Sequence, residues 1–195
     1  MKKILKFSLM LVVASTTMNV HAGTVDFTLD VKNEQSKMVT FAIDKMNNMD
    51  LSIYDANDKL IHSESVNSKK NFNRTYDLNA LPEGTYFLEA ESDSKISKYE
   101  ISVDGKTASL STGAVSEVYK PTFYNKNGLV WVNLSNPDDS PVTIKIYDNE
   151  FNEVYESPLL LGQNVTKVFD INNFQNETYT IVVTDNDKTF TKTFF

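Results

Sequence analysis

Apolar and polar residues alternate with a period of two along most of this chain. Polar side chains separate Val25, Phe27, Leu29 and Val31, then Val39, Phe41 and Ile43, then Met49, Leu51 and Ile53. Phe72, Tyr76 and Leu78 continue the pattern, with Arg74 standing at a position where an apolar residue is expected. Tyr86, Leu88 and Ala90 follow, and Tyr99, Ile101 and Val103 close the first half. The second half has Val130, Val132 and Leu134, then Val142, Ile144 and Ile146, then Val165, Phe169 and Ile171, then Tyr179, Ile181 and Val183, before Phe190 and Phe194. Successive side chains on a strand point to opposite faces, so each run predicts a half-buried strand. Asn, Asp, Gly and Ser fill the gaps, and Asp104-Gly105 predicts positive φ angles in a tight hairpin turn into 107–111. No segment carries a 3.6-residue period. Short strands at regular spacing predict an all-β fold of tandem antiparallel sandwiches, immunoglobulin-like or fibronectin-like.

The two halves are copies. Ile53-Tyr54-Asp55 recurs 93 positions on as Ile146-Tyr147-Asp148, and Thr85-Tyr86 recurs at the same offset as Thr178-Tyr179. Asp77-Leu78-Asn79 recurs as Asp170-Ile171-Asn172, Leu81 pairs with Phe174, and Ile61 with Val154. A constant offset over so many positions marks an internal repeat. The chain divides into a leader over 1–22, one module over 23–113 and a second over 114–195. Between Leu78 and Tyr86 the chain crosses between sheets. Gly84 allows the sharp turn, and Tyr86 is placed to bond back to the crossover as a tyrosine corner.

Lys2, Lys3 and Lys6 precede the apolar stretch 7–14, and Val20-His21-Ala22 has the small residues of a cleavage site. That is a signal peptide, too short to span a bilayer. The protein is therefore expected to be exported, to the periplasm, the cell surface or the outside. Loss of three lysines with the leader takes the net charge from −7 to −10. So acidic a chain, with Arg74 its single arginine, excludes nucleic acid as a partner, since phosphate binding needs clustered cations. There is no cysteine, so each module is expected to hold together by its core alone.

The run Ile53-Tyr54-Asp55, a polar turn, Leu60-Ile61 and then Leu81-x-x-Gly84-x-Tyr86 resembles the β-sandwich tails that direct Bacteroidota proteins through type IX secretion. It is similar too to small secreted β-sandwich domains of the same bacteria. The resemblance covers roughly 55 residues of each copy. It implies passage across the outer membrane, followed by tail removal or surface attachment.

Candidate chemistry is sparse. The mature chain keeps one histidine, His62, which has no cysteine to share a zinc site and no evident nucleophile to serve. No paired carboxylates stand in a recognisable constellation, and no enzyme activity is expected. No cofactor is expected either, calcium being the one ion whose ligands the loops supply. The oxygen-rich sets are Asn136, Asp138 and Asp139, then Asp185, Asn186 and Asp187, then Asp55, Asn57 and Asp58, all of them ordinary turn residues as well. The aromatic cluster Tyr119, Phe123, Tyr124 and Trp131 is the candidate ligand-binding site. With Val130, Val132 and Leu134 facing the core, Trp131 points outward, at the position of Thr40 in the first copy. Packing between the modules is the alternative place for it.

These observations lead to a non-catalytic exported protein that binds a protein or glycan partner at the cell surface or envelope, adhesin-like or accessory. A secretion device with the second module as sorting tail is one alternative. A periplasmic inhibitor or chaperone-like partner, using an exposed strand edge, is another. Lys98 and Lys188 on candidate edge strands lean toward a monomer.

Overall fold

The computed structural model describes residues 28–35, 37–44, 48–67, 72–172 and 178–195. The leader, the strand start at Val25 and Phe27, and Phe174 of the repeat lie outside these residues. All the regular structure within them is antiparallel β. The first module contains β1 (Thr28–Gln35), β2 (Met38–Asp44), β3 (Asn48–Asp55), β4 (Leu60–Asn67), β5 (Phe72–Asp77), β6 (Gly84–Glu91), β7 (Lys95–Asp104), β8 (Thr107–Leu110) and β9 (Ser116–Tyr119). Its sheets run β1-β2-β5 and β4-β3-β6-β7-β8, with β9 also paired to β7. Phe41 and Ile43 from the small sheet meet Leu51, Leu88 and Ile101 from the large one, all fully buried.

The second module repeats this plan with β10 (Thr122–Lys126), β11 (Leu129–Ser135), β12 (Val142–Tyr147), β13 (Glu153–Glu156), β14 (Asn164–Asp170), β15 (Tyr179–Asp185) and β16 (Lys188–Phe194). Its sheets run β10-β11-β14 and β13-β12-β15-β16. Val130, Val132, Ile144, Ile146 and Ile181 fill the space between them. Burying one such branched side chain contributes about 1.5–3 kcal/mol, which is how cysteine-free modules of this size hold together.

The 93-residue offset survives in fine geometry. Both copies shift register at the same place, between Ile53 and Tyr54 and between Ile146 and Tyr147. Asp55 Oδ1 accepts the backbone N–H groups of Asn57 and Lys59, and Asp148 Oδ1 accepts those of Glu150 and Asn152. Asp58 and Phe151 then take the same left-handed backbone, φ 57° and 63°. The tyrosine corner forms as expected, the Tyr86 hydroxyl donating to Pro82 O at 2.9 Å.

Three details differ from the sequence expectation. At the β7–β8 hairpin only Gly105 takes positive φ, because the two turn residues are Gly105 and Lys106 and a single glycine at the first position suffices. β7 is not an edge strand, since β8 and β9 cover it. Lys98 there lies over the Phe87 ring, 4.4 Å from its centroid, instead of guarding an edge. Residues 116–119, on the second module's side of the sequence division, pair with β7, so the first sheet continues to Tyr119.

Arg74, the exception in its strand pattern, points between the sheets. Its guanidinium donates twice to the Glu64 carboxylate on β4, which also accepts the Tyr76 hydroxyl at 2.8 Å. A cation is tolerated at that inward position because a carboxylate from the opposite sheet meets it there.

Candidate binding face of the second module

Asn127 and Gly128 form the two-residue turn between β10 and β11, with φ 53° and 73°. Two positive φ angles in sequence are what an Asn-Gly hairpin turn requires. A Cβ at Gly128 would meet the end of the Asn172 side chain, and its left-handed φ of 73° itself favours glycine. This turn fixes the β10–β11 register and so sets Tyr124 opposite Trp131, while on the other side of β11 the ladder with β14 sets Val168 opposite Trp131.

Neighbours across a sheet share a face, so Tyr124, Trp131 and Val168 form one row on the outside of the β10-β11-β14 sheet. Tyr124 is 55% exposed and Val168 48%, with Trp131 partly exposed between them. The Tyr124 and Trp131 rings lie 5.5 Å apart at 45°. One row along stand Thr122, Asn133 and Thr166, with the Thr166 hydroxyl donating to Asn133 Oδ1 at 3.0 Å. On the other side lie Lys126, Leu129 and Asp170.

The first module provides the comparison. At the corresponding register positions Asn33 pairs with Thr40 and Thr40 with Thr75, and the two threonine hydroxyls are bonded at 2.9 Å. The fold therefore does not need aromatic residues at these positions. Their presence in one copy only is a property of that copy's surface.

The four aromatics singled out by sequence do not form one cluster. Phe123 pairs with Val132 and faces inward, its ring 6.2 Å from that of Phe194, and Tyr119 also packs against the second core. Neighbouring residues on a strand point to opposite faces, so Phe123 and Tyr124 cannot share one. Trp131 faces outward beside Tyr124, as its alternation with Val130 and Val132 implies. Val168 escaped the sequence reading, although its place between inward Lys167 and Phe169 signals an outward side chain.

Part of the oxygen-rich loops is hydrogen-bonded within the protein. Asn136, Ser140 and Asp185 come together, with Asn136 Oδ1 accepting from the Ser140 N–H and hydroxyl, and Asp185 Oδ1 also within hydrogen-bond reach of that hydroxyl. Asn136 Nδ2 donates to Ser140 O at 2.8 Å and Gly162 O at 3.1 Å. Asp139 accepts the Gly162 N–H, while Asp138 and Asp187 lie exposed. Among the described residues no group of three or more His, Cys, Asp or Glu side chains is placed to hold a metal ion. Among them, too, no helix is long and apolar enough to cross a membrane.

The modules touch through charge. Lys188 on β16 reaches Glu89 on β6 at 3.0 Å. Within the first module, Lys120, just past β9 and donating its N–H to Ser94 O, reaches Glu91 at 2.7 Å.

Residues 33–104 match the family model of a secretion system C-terminal sorting domain. Among curated proteins none matches the chain in sequence at a significant level. Of solved structures, the BSP domain of a biofilm associated protein is 14% identical, covered over 84% of this chain and 29% of its own, with a TM-score of 0.29. The FN1–FN3 domains of chicken CNTN1 are 8% identical over 86% of this chain and 67% of theirs, TM-score 0.28. The pullulanase SAP of Group B Streptococcus is 13% identical over 84% of this chain and 23% of its own, TM-score 0.25. The chain thus spans less than a third of the biofilm and pullulanase structures. Over the first module it is similar to secretion-system sorting domains, and that similarity marks it as an exported protein.

Proposed function

We propose that this chain is a non-catalytic exported binding protein of the cell surface or envelope, in which the first module relates to export and the second carries the binding face. The single observation behind this reading is the contrast at equivalent sheet positions: Thr40 and Thr75 in one copy, Trp131 and Val168 in the other, with Tyr124 completing the row. Partly desolvated Trp and Tyr supply most of the energy at interfaces, and a row of them on a sheet face requires only a partner to cover it.

The test is to replace the row by that of the first module, as Tyr124→Asn, Trp131→Thr and Val168→Thr together. Residues 23–195 with the native row should bind cells or envelope of the producing bacterium. The triple variant should bind at least tenfold more weakly with its melting transition intact. Equal binding by the two proteins would remove this face from the reading, and no binding by either would remove the reading.

A second reading, an address label removed after export, is favoured by the sorting-domain match. That match lies on the first module, at residues 33–104. The intact mass of the mature protein from medium, washed surface and periplasm separates the two. Residues 23–195 in the working form support binding by the whole chain, whereas loss of either module supports the label.

A further inference from the structure

The rows around Trp131 say what kind of partner fits. An apolar protein patch or a lipid surface calls for a broad apolar area, and this face does not offer one. The apolar strip is narrow, because Thr122, Asn133 and Thr166 border it on one side, while on the other Lys126 and Asp170 flank Leu129, the one apolar residue of that row. Rows on one face of a strand recur about every 6.6 Å, so polar groups lie within one side chain's reach of the ring faces. The border offers both donors and acceptors: hydroxyls, an amide, an ammonium and a carboxylate. Lys126 and Asp170 cancel in charge, so the border gives no preference for an anionic or a cationic ligand.

A pyranose has the matching surface, an apolar face of C–H groups with a rim of hydroxyls. We propose that the outward face of β10-β11-β14 takes a neutral sugar ring, its C–H face on Trp131 and Tyr124 and its hydroxyls toward Asn133 and Thr166. This inference rests on the binding reading above and names the chemistry of its partner. The tilt of 45° between the two rings makes a shallow angled platform, on which the C–H face of the sugar rests against both. The hydrogen bond that already joins Thr166 to Asn133 holds the amide in place, leaving its NH2 group free to donate to a sugar hydroxyl.

The experiment uses residues 23–195 on cells of the producing bacterium treated in two ways. Mild periodate cleaves vicinal diols of sugars, whereas an exhaustive protease digest removes surface protein. Sugar recognition predicts that periodate lowers the bound protein at least tenfold and protease leaves it within twofold. Binding should persist in 1 M NaCl, since no charge attraction is needed, and Asn133→Ala should weaken it severalfold without shifting the melting transition. Binding that survives periodate and vanishes with protease overturns the sugar assignment while leaving a protein-binding face. Binding that dissolves in salt overturns it as well. Untreated cells that bind neither the native protein nor the Tyr124, Trp131 and Val168 variant remove both this assignment and the reading beneath it.

Discussion

Trp131 stands directly opposite Tyr124 across the β10–β11 pair, with ring centroids 5.5 Å apart. Both rings lie on the outer side of their sheet, so neither belongs to the core that Val130 and Val132 enter. Trp131→Thr should therefore cost only about 1 kcal/mol, the scale of a cross-strand aromatic pair. Phe169→Ala, which opens a hole in the core, should cost about 3 kcal/mol or more. Denaturant melts of the two variants check this. A loss at Trp131 as large as that at Phe169 would mean the ring is a core element.

Gly128 controls that pairing from the turn. With φ 73°, replacement by alanine meets both backbone strain and the end of the Asn172 side chain. Gly128→Ala should lose about 1–3 kcal/mol. It should also change the near-ultraviolet circular dichroism of the Tyr124–Trp131 pair. An unchanged aromatic signal with full stability would show that the turn does not set the register.

Glu64 gives the first module a pH-dependent link between its sheets. The Arg74 guanidinium holds its carboxyl below the usual carboxylate range, against the opposing effect of partial burial, and the Tyr76 hydroxyl adds to the lowering. A carboxylate with a depressed folded pKa contributes stability that is present above its unfolded value and lost as pH falls through the folded one. Glu64→Gln should lose about 1–2 kcal/mol at pH 7, since Arg74 is 39% exposed and the pair is partly screened. The difference between native protein and variant should shrink as pH drops below the ordinary carboxylate range. Melting curves between pH 7 and pH 3 decide the matter, and a difference that stays constant would refute the link.

Asp185 is 4% exposed and lies in hydrogen-bond reach of Ser140, whose hydroxyl and N–H are shared with Asn136. Removing one partner leaves buried polar groups unpaired, so Asp185→Ala should cost about 2 kcal/mol. Because these oxygens are engaged within the protein, millimolar calcium or a chelator should leave the melting temperature of the native chain unchanged. A calcium-dependent rise lost in Asp185→Ala would restore this loop as an ion site.

The sandwich plan was legible from sequence because period-two alternation is itself the consequence of one face being buried. Arg74 was flagged only as an exception, since the Glu64 that neutralises it comes from the opposite sheet. The pairing of β9 with β7 rests on contacts across more than fifteen residues, which a local pattern does not encode. At the candidate face, Trp131 was placed correctly by the parity of its strand. Tyr119 and Phe123 were grouped with it by closeness in sequence, although adjacent strand residues diverge. Asn127-Gly128 was the overlooked signal, for it fixes the register that brings Tyr124 and Trp131 together. The acidic loops read as calcium ligands because Asp and Asn serve turns and ions with the same oxygens, and only hydrogen-bond partners separate the two uses.

The most direct test of this account is iodide quenching of the chain's single tryptophan. Trp131 on an open sheet face predicts concentration-dependent quenching in the free protein and marked protection once the protein is bound to cells. A blue-shifted emission that iodide does not reach in the free protein would place the ring in a buried contact and contradict the binding face.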